Sequence, residues 1–256
     1  MKWKLMVPSV AVVSLLSLNS NSQMAANSTM SGHAITASAI STASGNSIAG
    51  TIRLQGPVPK TSPIAMRSDP TCAQEHPQPV RAEDIVGGAG GTLENVIVFV
   101  AQGMAERPYD VPQAAALMQQ KGCMYEPHVL AMRAGQTLRV VNADKTTHNI
   151  HPMPANNREW NKAQLPGQPI EEKFSREEIA IPVKCNIHPW MHSYIAVFKH
   201  PYFTVTGKDG SFALSHLPPG EYTIEAWHEK LGTMTQQVKI APGENKKIDF
   251  TFKSKG

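Results

Sequence analysis

Two segments of the chain carry the residue types of a metal site. Residues 184–191 read KCNIHPWM, which spaces Cys185, His188 and Met191 three residues apart. Upstream, residues 147–151 read THNIH and supply further imidazoles. One thiolate, two imidazoles and one thioether can therefore come together. A trigonal His₂Cys set with a weak axial Met is the ligand signature of a blue-copper electron-transfer site.

This mixture of ligands suits a metal that changes its oxidation state. Thiolate and thioether are soft and favour reduced copper, whereas imidazole suits both oxidation states. A set that satisfies both forms about equally needs little rearrangement when one electron is transferred. Ile187, Pro189 and Trp190 would supply part of the apolar surroundings that tune the potential.

Predicted strands flank both segments. Residues 179–183 and 194–198 are typical of strands, so residues 184–191 are expected to form a loop between them, with a turn at Pro189 that aims the ligand candidates to one side. Residues 137–141 predict a strand that ends shortly before His148. Loops at the end of a rigid sandwich are where such sites are built.

Most of the remaining chain also reads as short strands. Further strand patterns cover residues 48–54, 95–100, 222–226 and 248–252, and turn sequences such as KDGS and PPG separate them. The sequence therefore predicts an all-β protein built from sandwiches. Only residues 112–121 predict a helix, with a proline near its start.

The N-terminus has the features of a secretory signal peptide. Lys2 and Lys4 precede an apolar stretch that is too short for a membrane helix, and small polar residues follow. We expect residues 1–26 to be removed, leaving no stable membrane span and a periplasmic or secreted protein; an uncleaved interfacial anchor is the alternative. Residues 27–45, rich in Ser, Ala and Asn, predict a flexible leader.

The charge of the chain gives no reason to expect a nucleic-acid partner. Its formal net charge is +4, and removal of residues 1–26 takes away two lysines and no acid, which lowers it to +2. The basic residues are scattered along the chain, whereas a nucleic-acid surface usually needs them clustered.

Three cysteines are an odd number for an exported protein, so one of them is unpaired or a metal ligand. Cys185 lies among His and Met and is assigned to metal. Cys72 and Cys123 are then expected to form a disulfide, which an oxidising compartment permits. A zinc site formed by these two cysteines with His76 and His128 is the alternative, although the spacing fits no compact zinc motif.

Residues 185–191, together with the His148-Asn149 pair, resemble the copper segments of the amicyanin-type cupredoxins. The resemblance covers roughly residues 118–200 and implies one type 1 copper held by His148, Cys185, His188 and Met191. It also implies that the backbone N–H of Asn149 bonds to the Cys185 sulfur, that the Asn149 side chain braces the loop, and that an exposed edge of His188 passes the electron. Residues 152–173 depart from the small members of this family.

Other assignments of the same residues stay open. His151 could replace His148 as a ligand, His192 could replace Met191 as the axial ligand, and Met191 could be only a core residue. The remaining histidines are expected to be structural or exposed; these are His33, His76, His128, His200, His216 and His228.

Residues 204–224 resemble the carboxypeptidase regulatory-like domain, a transthyretin-type β-sandwich. Residues 201–256 alone supply too few strands for a sandwich, so we expect a discontinuous domain made of residues 46–107 and 201–256, with a cupredoxin domain at 108–200 inserted between them. Alternatively, residues 95–100 form the first strand of the cupredoxin.

The expected function is electron transfer through one type 1 copper, with a redox protein such as a c-type cytochrome or a dehydrogenase as partner. Four protein ligands leave no open position for a substrate, so an enzyme is not expected. Copper sequestration or delivery, and an extracellular binding module with a structural metal, are the alternatives.

Overall fold

The computed structural model describes residues 45–254. The predicted signal peptide, residues 1–26, and all but the last residue of the predicted leader, residues 27–45, therefore lie outside the described part of the chain. The expected all-β architecture is confirmed, because strands dominate the described residues. None of the helices in this part is long and apolar enough to cross a membrane.

Seventeen strands lie between residues 45 and 254. Their bounds are β1 Asn46–Gln55, β2 Ile97–Gln102, β3 Ala116–Lys121, β4 Met124–Glu126, β5 Val129–Arg133, β6 Thr137–Asn142, β7 His148–Pro152, β8 Lys162–Gln164, β9 Pro169–Lys173, β10 Glu178–Lys184, β11 His192–Phe198, β12 Phe203–Val205, β13 Ser211–Leu217, β14 Gly220–His228, β15 Gly232–Ile240, β16 Asn245–Lys247 and β17 Phe250–Lys253. One short helix, α1, covers Pro70–Glu75, and single 3-10 turns cover Met66–Ser68 and Ala89–Gly91.

Strands β1, β2 and β12 to β17 form two sheets, here called the first sheet pair. In one sheet β1 lies between β13 and the short strands β16 and β17; the order in the other is β12-β2-β14-β15. The inward side chains of both sheets form one apolar core that includes Ile48, Val98, Ile224 and Phe250. Because β2 pairs with β12 and β14, it does not serve as a strand of the remaining sheets.

Strands β3 to β11 form the other two sheets, the second sheet pair. Their orders are β4-β3-β6-β9 and β5-β11-β10-β7-β8. The core between them includes Met118, Leu138, Ile150 and Ile195, and it also contains Cys185 and Met191. The metal-binding residue types therefore lie within the core of this pair.

A third apolar cluster joins the two pairs. Ile97 and Phe99 of β2 pack with Ala196 and Phe198 of β11. The alternate residues of β2 face the core of the first pair, and the alternate residues of β11 face the core of the second pair. Both strands are therefore buried on both faces. This accounts for their continuous apolar sequences. Residues 45–254 all belong to one compact unit.

The helix predicted over residues 112–121 is wrong. Residues 116–121 form β3, which pairs in parallel with β6, from Ala116 opposite Leu138 to Gln120 opposite Asn142. The inward residues of β3 are Met118 and Gln120, both fully buried. Since Gln120 is polar, the alternation of the strand is hidden in the sequence, and pairing within the sheet overrides the helical preference of Ala, Leu and Gln.

Candidate metal centre

The loop between β10 and β11 holds three of the predicted ligands. Lys184 lies opposite His192 across the two strands, so residues 185–191 close the end of a tight hairpin. The loop is held by two backbone hydrogen bonds, from Cys185 N–H to the Met191 carbonyl (3.1 Å) and from Met191 N–H to the His188 carbonyl (2.9 Å). Cys185, His188 and Met191 are all buried as a result.

His148 reaches the same place from the neighbouring strand. It is the first residue of β7, which pairs with β10 so that His151 lies opposite Lys184. Its Nδ1 lies 2.9 Å from Nδ1 of His188, and the Cys185 sulfur lies 3.7 Å from that same His188 atom. One ligand atom from each of the three side chains falls within 4.8 Å of the other two.

The outer nitrogen of each ring is bound to a carboxylate. His148 donates from Nε2 to Asp144 at 2.8 Å, and His188 donates from Nε2 to Asp69 at 3.0 Å. A metal-bound histidine characteristically donates its second ring N–H in this way, which fixes the ring and leaves the other nitrogen free for the metal. Both Nδ1 atoms therefore point into the space beside the Cys185 sulfur.

Neither carboxylate was predicted from the sequence. Asp144 stands four residues before His148 and also accepts hydrogen bonds from the backbone N–H groups of Gly122 and Cys123. Asp69 caps α1 by accepting from the N–H of Thr71 at 2.8 Å. The Asp-Pro-Thr sequence is a recognisable helix start, but nothing in its spacing places it beside His188.

Hydrogen bonds shift the pKa values of His148 and Cys185 in opposite directions. Burial alone would lower the pKa of His148, but hydrogen bonds to Asp144 and Cys185 raise it to about 9. Burial alone would raise the pKa of Cys185, but hydrogen bonds from His148 and nearby backbone N–H groups lower it. A cation that enters this centre therefore replaces a proton beside a sulfur already disposed to be anionic.

Backbone N–H groups surround the sulfur. Asn149 N–H donates to Cys185 Sγ at 3.5 Å, and His188 N–H donates to it at 3.4 Å. The Asn149 side chain joins the two segments, because its oxygen accepts from the Asn186 N–H and its nitrogen donates to Asn161. These contacts fix the position of β7 relative to the loop.

The two other predicted residues of the loop occupy different environments. Met191 is fully buried in the core cluster that contains Cys185. Pro189 is exposed at the turn of the loop, as is Ile187. Of the expected apolar surroundings, the Trp190 ring packs on His188 with ring centres 5.0 Å apart, and its Nε1–H donates to the Cys123 carbonyl.

Cys72 and Cys123 form a disulfide. It fastens α1 over the metal centre, where the Cys72 sulfur lies 3.7 Å from His188 Nε2. His188 is consequently only 2% exposed. The exposed His188 edge that the family resemblance implies is therefore wrong for this chain, because a segment far away in sequence covers it.

The alternative zinc site is also wrong. Both of its cysteines are in the disulfide, His76 Nε2 contacts the Gly122 carbonyl at 2.6 Å, and His128 contacts Glu229. The alternative ligands lie outside the centre as well. His151 Nε2 contacts Glu159 at 2.6 Å, and His192 donates from Nδ1 to the Trp190 carbonyl at 3.2 Å.

Comparison with known proteins gives one partial family match. Residues 194–253 match the family model of the carboxypeptidase regulatory-like domain. The match begins within β11, which the structure places in the second sheet pair, and continues through β12 to β17 of the first. No curated protein matches the chain significantly.

Several copper proteins are similar to part of the structure. Amicyanin from Paracoccus versutus is 20% identical with a TM-score of 0.31, covering 40% of this chain and 97% of that chain. A purple cupredoxin from Nitrosopumilus maritimus is 23% identical with a TM-score of 0.29, covering 32% of this chain and 99% of that chain. A copper-containing nitrite reductase from Thermus scotoductus SA-01 is 21% identical with a TM-score of 0.32, covering 39% of this chain but only 26% of the reductase. Similarity at this level assigns neither a ligand nor an activity to this chain.

Proposed function

We propose that this chain is an exported type 1 copper protein that carries single electrons between redox partners. One observation carries the proposal: the Nδ1 atoms of His148 and His188 lie 2.9 Å apart beside the Cys185 sulfur, in a buried site. Two ring nitrogens at so short a distance need a shared proton or a cation between them. Their outer nitrogens are already bound to carboxylates.

The donor set fits copper better than other common metals. A thiolate with two imidazoles suits copper or zinc, whereas magnesium and calcium prefer oxygen ligands. Met191, buried in the same core, is proposed as the weak axial ligand, which favours copper over zinc. When bound, copper would accept and release one electron.

The protein's own contribution is to hold the ligands rigidly and exclude water. Asp144 and Asp69 fix the two rings, and Asn149 fixes the loop against β7. The Tyr125 hydroxyl adds to this, because its single O–H is shared between the Asn149 and Lys184 carbonyls, at 2.7 and 3.1 Å. Ligands held this way need little movement between the two oxidation states.

We propose no enzymatic activity at this centre. His148, Cys185 and His188 are at most 3% exposed, and this burial supports a centre that a substrate does not reach directly. Enzymes that use a metal for bond chemistry keep a ligand position open to solvent or substrate. An electron needs no such opening, so burial is compatible with electron transfer.

We also propose that the second sheet pair is a cupredoxin domain inserted into a carboxypeptidase regulatory-like domain. The strand order supports this, since β1 and β2 pair with strands that follow residue 201, across all of β3 to β11. The disulfide suits the periplasm or the extracellular space. The proposed partner is a redox protein such as a c-type cytochrome or a dehydrogenase.

Copper sequestration or delivery is a second candidate, and the cover over His188 favours it. The disulfide and α1 close the ring edge that would otherwise face a partner. Such a protein would bind Cu(I) very tightly and exchange electrons slowly. Cyclic voltammetry separates the two functions: a fast, reversible one-electron wave supports the carrier, and a sluggish wave supports sequestration.

The test of the metal assignment uses residues 27–256 reconstituted with Cu(II). An intense visible band from thiolate to copper is expected, together with the narrow copper hyperfine splitting of a type 1 centre in electron paramagnetic resonance. Cys185→Ser should abolish the band, and His151→Gln, a matched histidine outside the centre, should retain it. A colourless protein that binds copper equally well after Cys185→Ser overturns the proposal.

A further inference from the structure

A second cluster of ligand-type side chains lies where the two sheet pairs meet. His128 precedes β5, His192 begins β11, and Glu229 follows β14. One ligand atom from each lies within 4.8 Å of the other two. The side chains of His128 and Glu229 are only 2% and 3% exposed. His128 and His192 belong to the second sheet pair, and Glu229 belongs to the first.

Three buried atoms of this cluster have no hydrogen-bond partner within residues 45–254. They are His128 Nδ1, His192 Nε2 and Glu229 Oε2. Buried polar atoms without a partner are uncommon, because each loses its bonds to water. Three of them on residues whose ligand atoms lie within 4.8 Å of one another favour a bound group at this cluster.

The hydrogen bonding of His192 shows what kind of group that is. His192 donates from Nδ1 to the Trp190 carbonyl, so in the neutral ring Nε2 carries a lone pair. That nitrogen lies 3.3 Å from a carboxylate oxygen of Asp84. A lone pair facing an anion is unfavourable, so the arrangement calls for positive charge between them.

We propose that His128, His192 and Glu229 bind a divalent cation of the zinc type, with Asp84 as a fourth ligand. Two imidazoles and two carboxylates are ligands that zinc accepts in tetrahedral sites. Because neither sulfur nor thioether takes part, the cluster suits a divalent ion and not reduced copper. The backbone hydrogen bond of His192 supplies the outer contact that orients a metal-bound histidine.

This site would join four separate parts of the chain. Its ligands come from β11, from the turn before β5, from the end of β14 and from the connection between β1 and β2. His192 directly follows Met191, and Trp190, whose carbonyl holds His192, packs on His188. A cation here would fasten the first sheet pair to the loop that carries the copper ligands.

The competing explanation is a network of ion pairs without a metal. In it, protonated His128 pairs with Glu229 and Glu83. Protonated His192 pairs with Asp84, which Lys230 also contacts at 3.2 Å. That network predicts no stoichiometric metal uptake. Zinc titration of metal-free residues 27–256 by calorimetry, at neutral pH, distinguishes the two explanations.

The wild-type protein is expected to take up two zinc ions, one in each centre. Glu229→Gln should keep only the ion at Cys185, with binding at the second site at least ~100-fold weaker, since loss of even an outer-shell partner costs 10- to 100-fold. Cys185→Ser should keep only the second ion. Glu221→Gln, an exposed glutamate on β14, is the matched control and should still take up two.

His192→Gln provides a second variant in case Glu229→Gln fails to fold, because its side chain is 32% exposed and better able to tolerate change. It should also lose the second ion. Uptake by the wild-type protein of a single ion that Cys185→Ser abolishes, or two ions of unchanged affinity in a folded Glu229→Gln or His192→Gln protein, overturns the proposal. Because Cys185→Ser reports on the other centre alone, failure of the copper assignment is recognised separately.

Discussion

The two sheet pairs bury different kinds of side chain. The core of the first pair is made of aliphatic and aromatic residues such as Ile52, Val98, Ile224 and Phe250. The second pair also buries many polar groups, among them Gln120, Asn142, Asp144, His148, Asn149, Gln164 and His188. Polar groups inside a protein destabilise it unless they are hydrogen-bonded. Asp144, His148, Asn149 and His188 have such partners in and around the centre that contains Cys185.

The two sheet pairs therefore have different roles. The first pair stabilises the molecule through apolar burial, and the second pair uses its interior to hold a reactive centre in place. Changes in the first core should alter the free energy of unfolding and leave the centre intact. Changes in the polar interior of the second pair should alter the centre even where stability changes little.

The largest effect is expected from Phe250→Ala in the first core. Phe250 is 1% exposed, and truncating a buried phenylalanine lowers the free energy of unfolding by about 3–5 kcal/mol. Urea denaturation measures this loss, and the visible copper spectrum of the folded protein should not change. Thr251→Ala, an exposed neighbour on β17, should cost less than ~0.5 kcal/mol. Loss of colour in folded Phe250→Ala protein would contradict the separation of stability and metal binding between the two sheet pairs.

Removal of the disulfide is expected to give the second-largest loss in the free energy of unfolding. Cys72→Ala with Cys123→Ala should lower stability by about 2–5 kcal/mol, because the bond constrains a long loop of the unfolded chain. The visible band should remain, since Cys185 is not part of the disulfide. Reduction of the copper by a small reductant should become faster, because α1 no longer covers His188. A vanished band in a folded protein would contradict the expectation that the copper ligands keep their positions without the disulfide.

Asn149→Ala probes the polar interior of the second pair. The change leaves the Asn186 N–H without its acceptor, which should destabilise the protein by about 1–3 kcal/mol. The loop then loosens, so the visible band and the reduction potential should both shift. Asn186→Ala keeps the backbone N–H and is the matched control. Equal spectra for the two variants would show that the brace has no role at the centre.

The smallest effect concerns acid stability and Glu178. Burial alone would raise the pKa of Glu178, but hydrogen bonds from Asn157 and from the backbone N–H groups of residues 155–157 lower it. Below about pH 5 the Glu178 carboxylate is therefore protonated more readily in the unfolded chain than in the native state. The stability that its native hydrogen bonds contribute is lost as the pH falls. Glu178→Gln should lower stability at pH 7 by about 1 kcal/mol and flatten the dependence on pH. Glu171→Gln, at an exposed site, should keep the wild-type slope.

Patterns close together in sequence were predictable, and contacts between distant segments were not. The alternation and turns of the chain predict an all-β fold, and three-residue spacing predicts a loop in which Cys185, His188 and Met191 are buried. The strand at residues 116–121 escaped prediction because its inward residue Gln120 is polar and yet fully buried. A local pattern shows polarity, and burial depends on the whole fold.

The same limit applies to the surroundings of the two centres. Asp69 and Cys72 are more than 100 residues from His188, and only the path of the chain between β1 and β2 brings them to it. His128 and Glu229 likewise meet across the junction of the two sheet pairs. His128 was expected to be structural or exposed, and His192 was considered only as an alternative axial ligand. No local spacing connects either of them to Glu229.

The most direct test of the account is X-ray absorption at the copper K-edge of the reconstituted protein. We expect a first coordination shell of one short copper–sulfur bond and two nitrogens, with the sulfur lost in Cys185→Ser and one nitrogen lost in His148→Ala. A shell made only of nitrogen and oxygen in the wild-type protein would contradict the claim that Cys185, His148 and His188 share one metal.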